Sequence, residues 1–158
     1  MTRRGFENVS GNGTMPKVQF LVWKDDYSVG VEHLDSQHRQ IFDTINTFYN
    51  AILDAVSSDM VANVLNSLQE YTRVHFREEE RLMKLHRFPE LREHEDAHAY
   101  LIYRTEYFFG QFHLHSVDLS PDLFMFLKEW WTNHIMAMDR KYAPFLRETS
   151  GPGDDTAG

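Results

Sequence analysis

Apolar residues recur three and four positions apart through most of the chain, the period of helices that bury one face. The first such stretch spans about 34–55, with Leu34, Ile41, Phe42, Ile45, Phe48, Tyr49 and Ile52 on one stripe. Ser57-Ser58-Asp59 then supplies a turn and an N-cap signal. A second helix is predicted over about 59–86, with Val61, Val64, Leu65, Leu68, Thr72, Leu82 and Met83 on its inner face. Phe88-Pro89 ends it, because proline disfavours helix in the residue before it and fits the first turn of the next. The third helix, about 90–115, turns Leu101, Ile102, Phe108, Phe109 and Phe112 inward. Ser120-Pro121 reads as a cap followed by a first-turn proline. The fourth helix, about 121–147, carries Leu123, Leu127, Trp130, Trp131, Ile135, Met138 and Tyr142.

Four long helices with short connections predict an all-α fold, an up-down-up-down antiparallel four-helix bundle. The preceding VQFLVWKDDYSVGVEH has strand-like residues but is a single piece. It is read as an extended N-terminal arm anchored on the bundle by Phe20 and Trp23. The domain organisation follows: a flexible extension at 1–19, the bundle at 20–147, and a disordered tail at 148–158.

Polar residues interrupt these stripes, and they are of two kinds. His38 falls on the stripe of Leu34, Ile41 and Ile45. His75 and Glu79, four apart, continue the stripe of Leu68, Thr72 and Leu82, and His94 and His98 repeat that spacing on the stripe that leads to Ile102. His134 sits among Leu127, Trp131 and Met138. Asp139, five residues on, falls at the edge of the inward face of an ideal helix, and a single π-bulge there would turn it inward.

One histidine on an apolar face is ordinarily a satisfied core residue, and one His/Glu pair is ordinarily surface decoration. Here all four helices carry the anomaly, and burying charge without a partner costs several kcal/mol. The heights agree as well. In an up-down bundle the start of the first helix, the end of the second, the start of the third and the later half of the fourth lie at one level. Unrelated core histidines have no reason to meet there.

Composition narrows what this level can bind. The chain has 158 residues, enough for one domain, and a net charge of −8, which gives no reason to expect nucleic acid or an anionic membrane as partner. It has no cysteine, which excludes disulfides, thiolate metal sites, iron–sulfur ligation and cysteine nucleophiles. No apolar run approaches a membrane span and the N-terminus lacks a secretory apolar region, so a cytoplasmic protein is expected. Nine histidines make imidazole and carboxylate the available reactive groups.

Five imidazoles and two carboxylates exceed the needs of a tetrahedral zinc, and calcium or magnesium prefer all-oxygen sites. The mixture suits iron or manganese, and two ions can share bridging carboxylates. Two octahedral ions with this donor set and a bridging oxide or hydroxide have every position filled but one. An open position on a redox metal in an apolar pocket is a place for a small molecule such as dioxygen.

The segments YSVGV…LDSQH, YTRVHFREEERLM, HEDAH and EWWTNHIMAMD, in that order, resemble a bacterial hemerythrin over roughly residues 20–147. The resemblance implies two iron ions with an oxo/hydroxo bridge. His94, His98 and His134 would bind one iron, His38 and His75 the other, and Glu79 and Asp139 would bridge them. It further implies a non-enzymatic protein that binds dioxygen reversibly as a carrier, store or delivery protein, with an oxygen-using enzyme as recipient. A sensor of oxygen, redox state or nitric oxide acting through a separate partner is the alternative. A di-iron oxidase or iron store is a further one, but that class favours two Glu-x-x-His motifs and only Glu95…His98 has the spacing. Trp131 stands where this family commonly has leucine, so Trp131 and Ile135 are the expected ligand-pocket residues. Glu80 matches the family motif in a solvated or outer role, and Asp35 is expected to cap the first helix. His33, His86, His113 and His115 are read as surface residues.

Overall fold

The computed structural model describes the backbone of residues 17–115 and 121–147, and the side chains of 17–111 and 123–147. The expected flexibility of 1–16 and 148–158, the cap at Ser120, the inward Phe112 and the surface positions of His113 and His115 lie outside these. Within them the elements are helical: α1 Glu32–Leu53, α2 Ser58–Leu85, α3 Leu91–His115, α4 Pro121–His134 and α5 Arg140–Arg147. A π-helical turn, Ile135–Asp139, joins α4 to α5 without a break, so these three pieces form the fourth rod of an all-α four-helix bundle.

The ends of the rods follow local chemistry. Ser57 caps α2, its side chain accepting from the Met60 N–H at 3.4 Å. α1 and α2 both end with a non-glycine residue in the left-handed conformation, Ala55 at φ 48° and Arg87 at φ 55°. In each case the next two N–H groups turn back on the helix: Ala55 to Ile52 O and Val56 to Ala51 O, then Arg87 to Lys84 O and Phe88 to Met83 O. Phe88 is thereby folded under the bundle and buried beside Met83.

The arm packs as expected, with one 3₁₀ turn at Asp25–Tyr27. Phe20 stacks on Tyr49 at 4.6 Å, and Trp23 meets Phe42 edge-on at 5.8 Å. Between them Leu21 is buried, and its backbone N–H and C=O are both met by the Asn46 amide at 2.8 Å. The expected cap by Asp35 is corrected in position. The residue preceding α1 is Val31, which makes no side-chain cap, and Asp35 lies within the helix. Its buried carboxylate instead accepts from Val29 N–H at 2.8 Å, Gly30 N–H at 3.3 Å and the Ser28 hydroxyl at 2.5 Å. The service is the same, satisfying donors ahead of the helix, but it is given backwards from within the first turn.

The core is divided. One apolar cluster, including Ile41, Phe42, Phe76, Leu101, Trp131 and Ile135, fills most of the bundle. A second, with Leu34, Met83, Phe88, Tyr142 and Leu146, closes one end. Between them along the rods lie His38, Glu79 and Asp139: His38 between Leu34 and Ile41, Glu79 between Phe76 and Met83, Asp139 between Ile135 and Tyr142. Burial of each large apolar side chain stabilises by about 1.5–3 kcal/mol, so the polar layer is clamped by apolar packing on both sides.

Candidate metal centre

The structure brings all seven expected side chains to one level and buries every one of them. α1 supplies His38, α2 supplies His75 and Glu79, α3 supplies His94 and His98, and α4 with the π turn supplies His134 and Asp139. The π turn is what admits Asp139. The Arg140 N–H bonds to Ile135 O, five residues back, and this extra residue in the turn brings Asp139 beneath His134. Asp139 Oδ1 then lies 3.0 Å from His134 Nε2.

Both carboxylates are shared between two groups of imidazoles. Glu79 Oε1 faces His38 Nε2 at 3.6 Å and His75 Nε2 at 3.3 Å, while its Oε2 faces His94 Nε2 at 3.7 Å and His98 Nε2 at 3.2 Å. Asp139 divides likewise: Oδ2 faces His38 at 3.3 Å, and Oδ1 faces His94 at 3.3 Å as well as His134. The donor atoms of His38, His75 and Glu79 lie within 4.8 Å of one another, and so do those of Glu79, His94, His98 and His134.

These atoms are close but do not satisfy one another. His38 Nε2, His75 Nε2, His94 Nε2, Glu79 Oε2 and both Asp139 oxygens are buried without a hydrogen bond, because they aim into shared space rather than along a donor–acceptor line. Orphaned buried polar atoms are costly and rare, and here they converge. A cation with several ligands satisfies such a set, and the chemistry fits: imidazole nitrogens and carboxylate oxygens, with no competing ammonium or guanidinium among the ion-pair partners described for either carboxylate.

The electrostatics make the same demand for positive charge. Burial penalises ionised Glu79, but the imidazoles of His75, His38 and His94 hold it well below the usual carboxylate range. Burial and the Glu79 charge push Asp139 up, yet His134 and His38 hold it low as well. Burial pushes His38 and His94 down, but Asp139 and Glu79 overcome it and bring both up to about 9. For His75, burial prevails and the ring is pushed down. Without a cation, protons on imidazole must supply the charge that two buried carboxylates draw in.

Three supporting contacts lie behind this layer. His75 Nδ1 is 2.9 Å from Gln37 Oε1, and His98 Nδ1 is 2.8 Å from Glu80 Oε1, which gives Glu80 the outer role expected of it. The Tyr142 hydroxyl donates to Glu79 Oε1. Aromatic faces hold two rings: Phe76 stacks on His98 at 3.7 Å, and Trp130 on His134 at 4.2 Å. Sequence reasoning placed Tyr142 only in the core and assigned nothing to Gln37 or Phe76. Gln37, adjacent to a buried histidine, carried the one available signal.

Trp131 is buried against the His38 and His75 rings, at centroid distances of 6.4 and 5.8 Å, and Ile135 is buried in the same apolar cluster. Glu95 is exposed, so its spacing to His98 does not bring its carboxylate into the layer. His33 is a surface residue with a side chain 62% exposed, and His86 is half-buried at the end of α2. No helix among the described residues is long and apolar enough to cross a membrane.

Known proteins place this architecture. The chain is 32% identical over 123 residues to a bacteriohemerythrin of Stenotrophomonas maltophilia, covering 78% of this chain and 79% of that one. It is 31% identical over 121 residues to a myohemerythrin of Riftia pachyptila, covering 77% and 89%. Among solved structures, wild-type hemerythrin superposes with a TM-score of 0.72 at 26% identity, over 80% of this chain and 97% of that one. The family model described as the hemerythrin HHE cation-binding domain matches residues 29–146, the span that holds all seven converging side chains, and by that match the chain belongs to the hemerythrin family.

Proposed function

We propose that this protein binds dioxygen reversibly at a non-haem di-iron centre, as an oxygen carrier, store or delivery protein rather than an enzyme. The observation that carries the reading is the division of both carboxylates. Each offers one oxygen to the His38 side and the other to the His94 side, as ligands bridging two ions must. On this reading His38 and His75 would hold one iron and His94, His98 and His134 the other, with Glu79 and Asp139 shared between them. Ferrous iron held there would supply the two electrons that dioxygen takes up on binding and gives back on release. The chain does the rest. Its apolar clusters above and below the layer keep out water and the further protons that would make the electron transfer irreversible. Trp131 lies against the His38 and His75 rings, and Ile135 is buried in the same apolar cluster, so the two would line the pocket for a ligand on the side with fewer imidazoles.

The balance of donors favours binding over oxidase chemistry: five imidazoles against two carboxylates, with Glu95 turned to solvent. An oxygen-using enzyme of the cytoplasm would be the recipient.

The test is iron content and the visible spectrum of protein purified and reduced without air, recorded before dioxygen, after it, and after sparging with inert gas. Two irons per chain and a charge-transfer band that appears and disappears are expected. Iron that oxidises once and stays oxidised would overturn the carrier reading in favour of a sensor or oxidase.

A further inference from the structure

His75 and His98 are held from behind by different chemistry. Both rings turn Nε2 toward Glu79, and with a metal ion held on Nε2 the Nδ1–H would be the group donated outward in each. For His75 the acceptor is the Gln37 amide oxygen at 2.9 Å, and for His98 it is a Glu80 carboxylate oxygen at 2.8 Å. The Gln37 amide also has a partner at its far end. Gln37 Nε2 lies 3.2 Å from His33 Nε2, which accepts the amide N–H when that nitrogen is unprotonated, and the amide oxygen faces His75. The Glu80 side chain is 30% exposed, so water solvates the charge that it presents to His98.

The two acceptors thus differ by a full negative charge. A carboxylate behind an imidazole strengthens the ring as a donor at its other nitrogen, and a neutral amide does so less. We propose that Glu80 and Gln37 are positioning residues that make the two metal subsites unequal: Glu80 tightens the subsite of His94, His98 and His134, and Gln37 leaves the subsite of His38 and His75 the weaker of the two. The proposal rests on the two-metal reading above. The inequality goes beyond the count of three rings against two. It would place the weaker hold on the side of His38 and His75, with Trp131 beside it, and the firmer hold on the side with three imidazoles.

The experiment is an anaerobic titration of the full-length protein with ferrous iron against a competing chelator, read as two stepwise dissociation constants. Glu80→Gln keeps an acceptor for His98 and removes the charge. The tight step is expected to weaken roughly 10–100-fold while the weak step stays. Gln37→Glu is expected to tighten the weak step by about 10-fold, and the double exchange to narrow or invert the gap. Glu80→Ala, which loses orientation as well as charge, should be worse than Glu80→Gln. A purely structural Glu80 would be replaced by glutamine without loss, and that result, or an unchanged ratio of the two constants in Gln37→Glu, overturns the proposal. If Glu80→Gln does not fold by circular dichroism, Gln37→Glu carries the test alone. A wild-type protein that takes up fewer than two irons overturns the two-metal reading, and the proposal with it. That failure is distinct because it appears before any substitution.

Discussion

The Tyr142 hydroxyl, on α5, donates its hydrogen bond to Glu79 Oε1, on α2, in the buried seam between the metal-binding layer and the apolar cluster that closes the bundle. Burial and the charges of Glu79 and Asp139 push the phenol well above its ordinary range, so it remains a donor at any pH the fold survives. Tyr142→Phe removes that donor and leaves the ring. A hydrogen bond to a charged group contributes about 1.5–3 kcal/mol, so the metal-free protein should lose stability of that order in urea unfolding. An unchanged midpoint would mean that the imidazoles alone satisfy Glu79.

Trp131 lies against the His38 and His75 rings, and so stands on the side of the layer with two imidazoles. Its side chain is 1% exposed, and a bulky indole there must move for a ligand to pass. Trp131→Leu should speed dioxygen release by stopped flow, with both irons retained. Equal release rates in the parent and the variant would assign the wall no gating role.

The stripes made the four helices legible because each burial face is long and continuous. The layer of seven was legible because histidine and carboxylate on an apolar stripe carry a cost that demands a reason. Even the π turn was foreshadowed, by the five-residue spacing of His134 and Asp139, which an ideal α-helix cannot bring onto one face. The groups behind the layer were not legible. Tyr142 and Glu79 are 63 residues apart, and no periodicity tells which buried hydroxyl meets which carboxylate. Phe76 follows His75 directly and so falls off the stripe as drawn. It nonetheless reaches the His98 ring, because a wide helix face serves two neighbours. Asp35 was assigned the right kind of service in the wrong place, since an aspartate can satisfy N–H groups from within the first turns as well as from the cap.

Arg87 and Ala55 take the left-handed conformation at the ends of α2 and α1, where a Cβ costs about 1–2 kcal/mol that glycine avoids. Glycine returns part of that through the greater freedom of the unfolded chain, about 0.5–1 kcal/mol. Arg87→Gly and Ala55→Gly should each stabilise by roughly 0.5–1 kcal/mol in urea unfolding. The two sites close different connections, so their effects should add. Destabilisation by either would show that its side chain holds the turn through contacts stronger than the strain.

His38 and His94, brought up to about 9 by Asp139 and Glu79 against the opposing effect of burial, give the metal-free protein a defined response to pH. Their ordinary value is about 6.5, so the folded state binds these protons more tightly than the unfolded chain does. The resulting stabilisation is complete below about pH 6.5 and is lost as pH rises through about 9. Glu79 and Asp139, held low, contribute the opposite slope, present above the ordinary carboxylate range of about 4 and lost as pH falls below it. His75, pushed down by burial, adds a slope of that same sign that begins below about pH 6.5. The metal-free protein should therefore be most stable at about pH 6.5, between these slopes. Urea midpoints should fall from pH 6.5 to pH 9. Metal affinity runs the other way over the same interval, because a cation must displace the imidazole protons. Binding of ferrous iron near pH 7.5 should release protons into an unbuffered indicator solution, and release should fade as pH approaches 9 and above. Metal uptake with no proton release near neutral pH would show that the imidazoles are already neutral in the empty layer and that something else balances the two carboxylates.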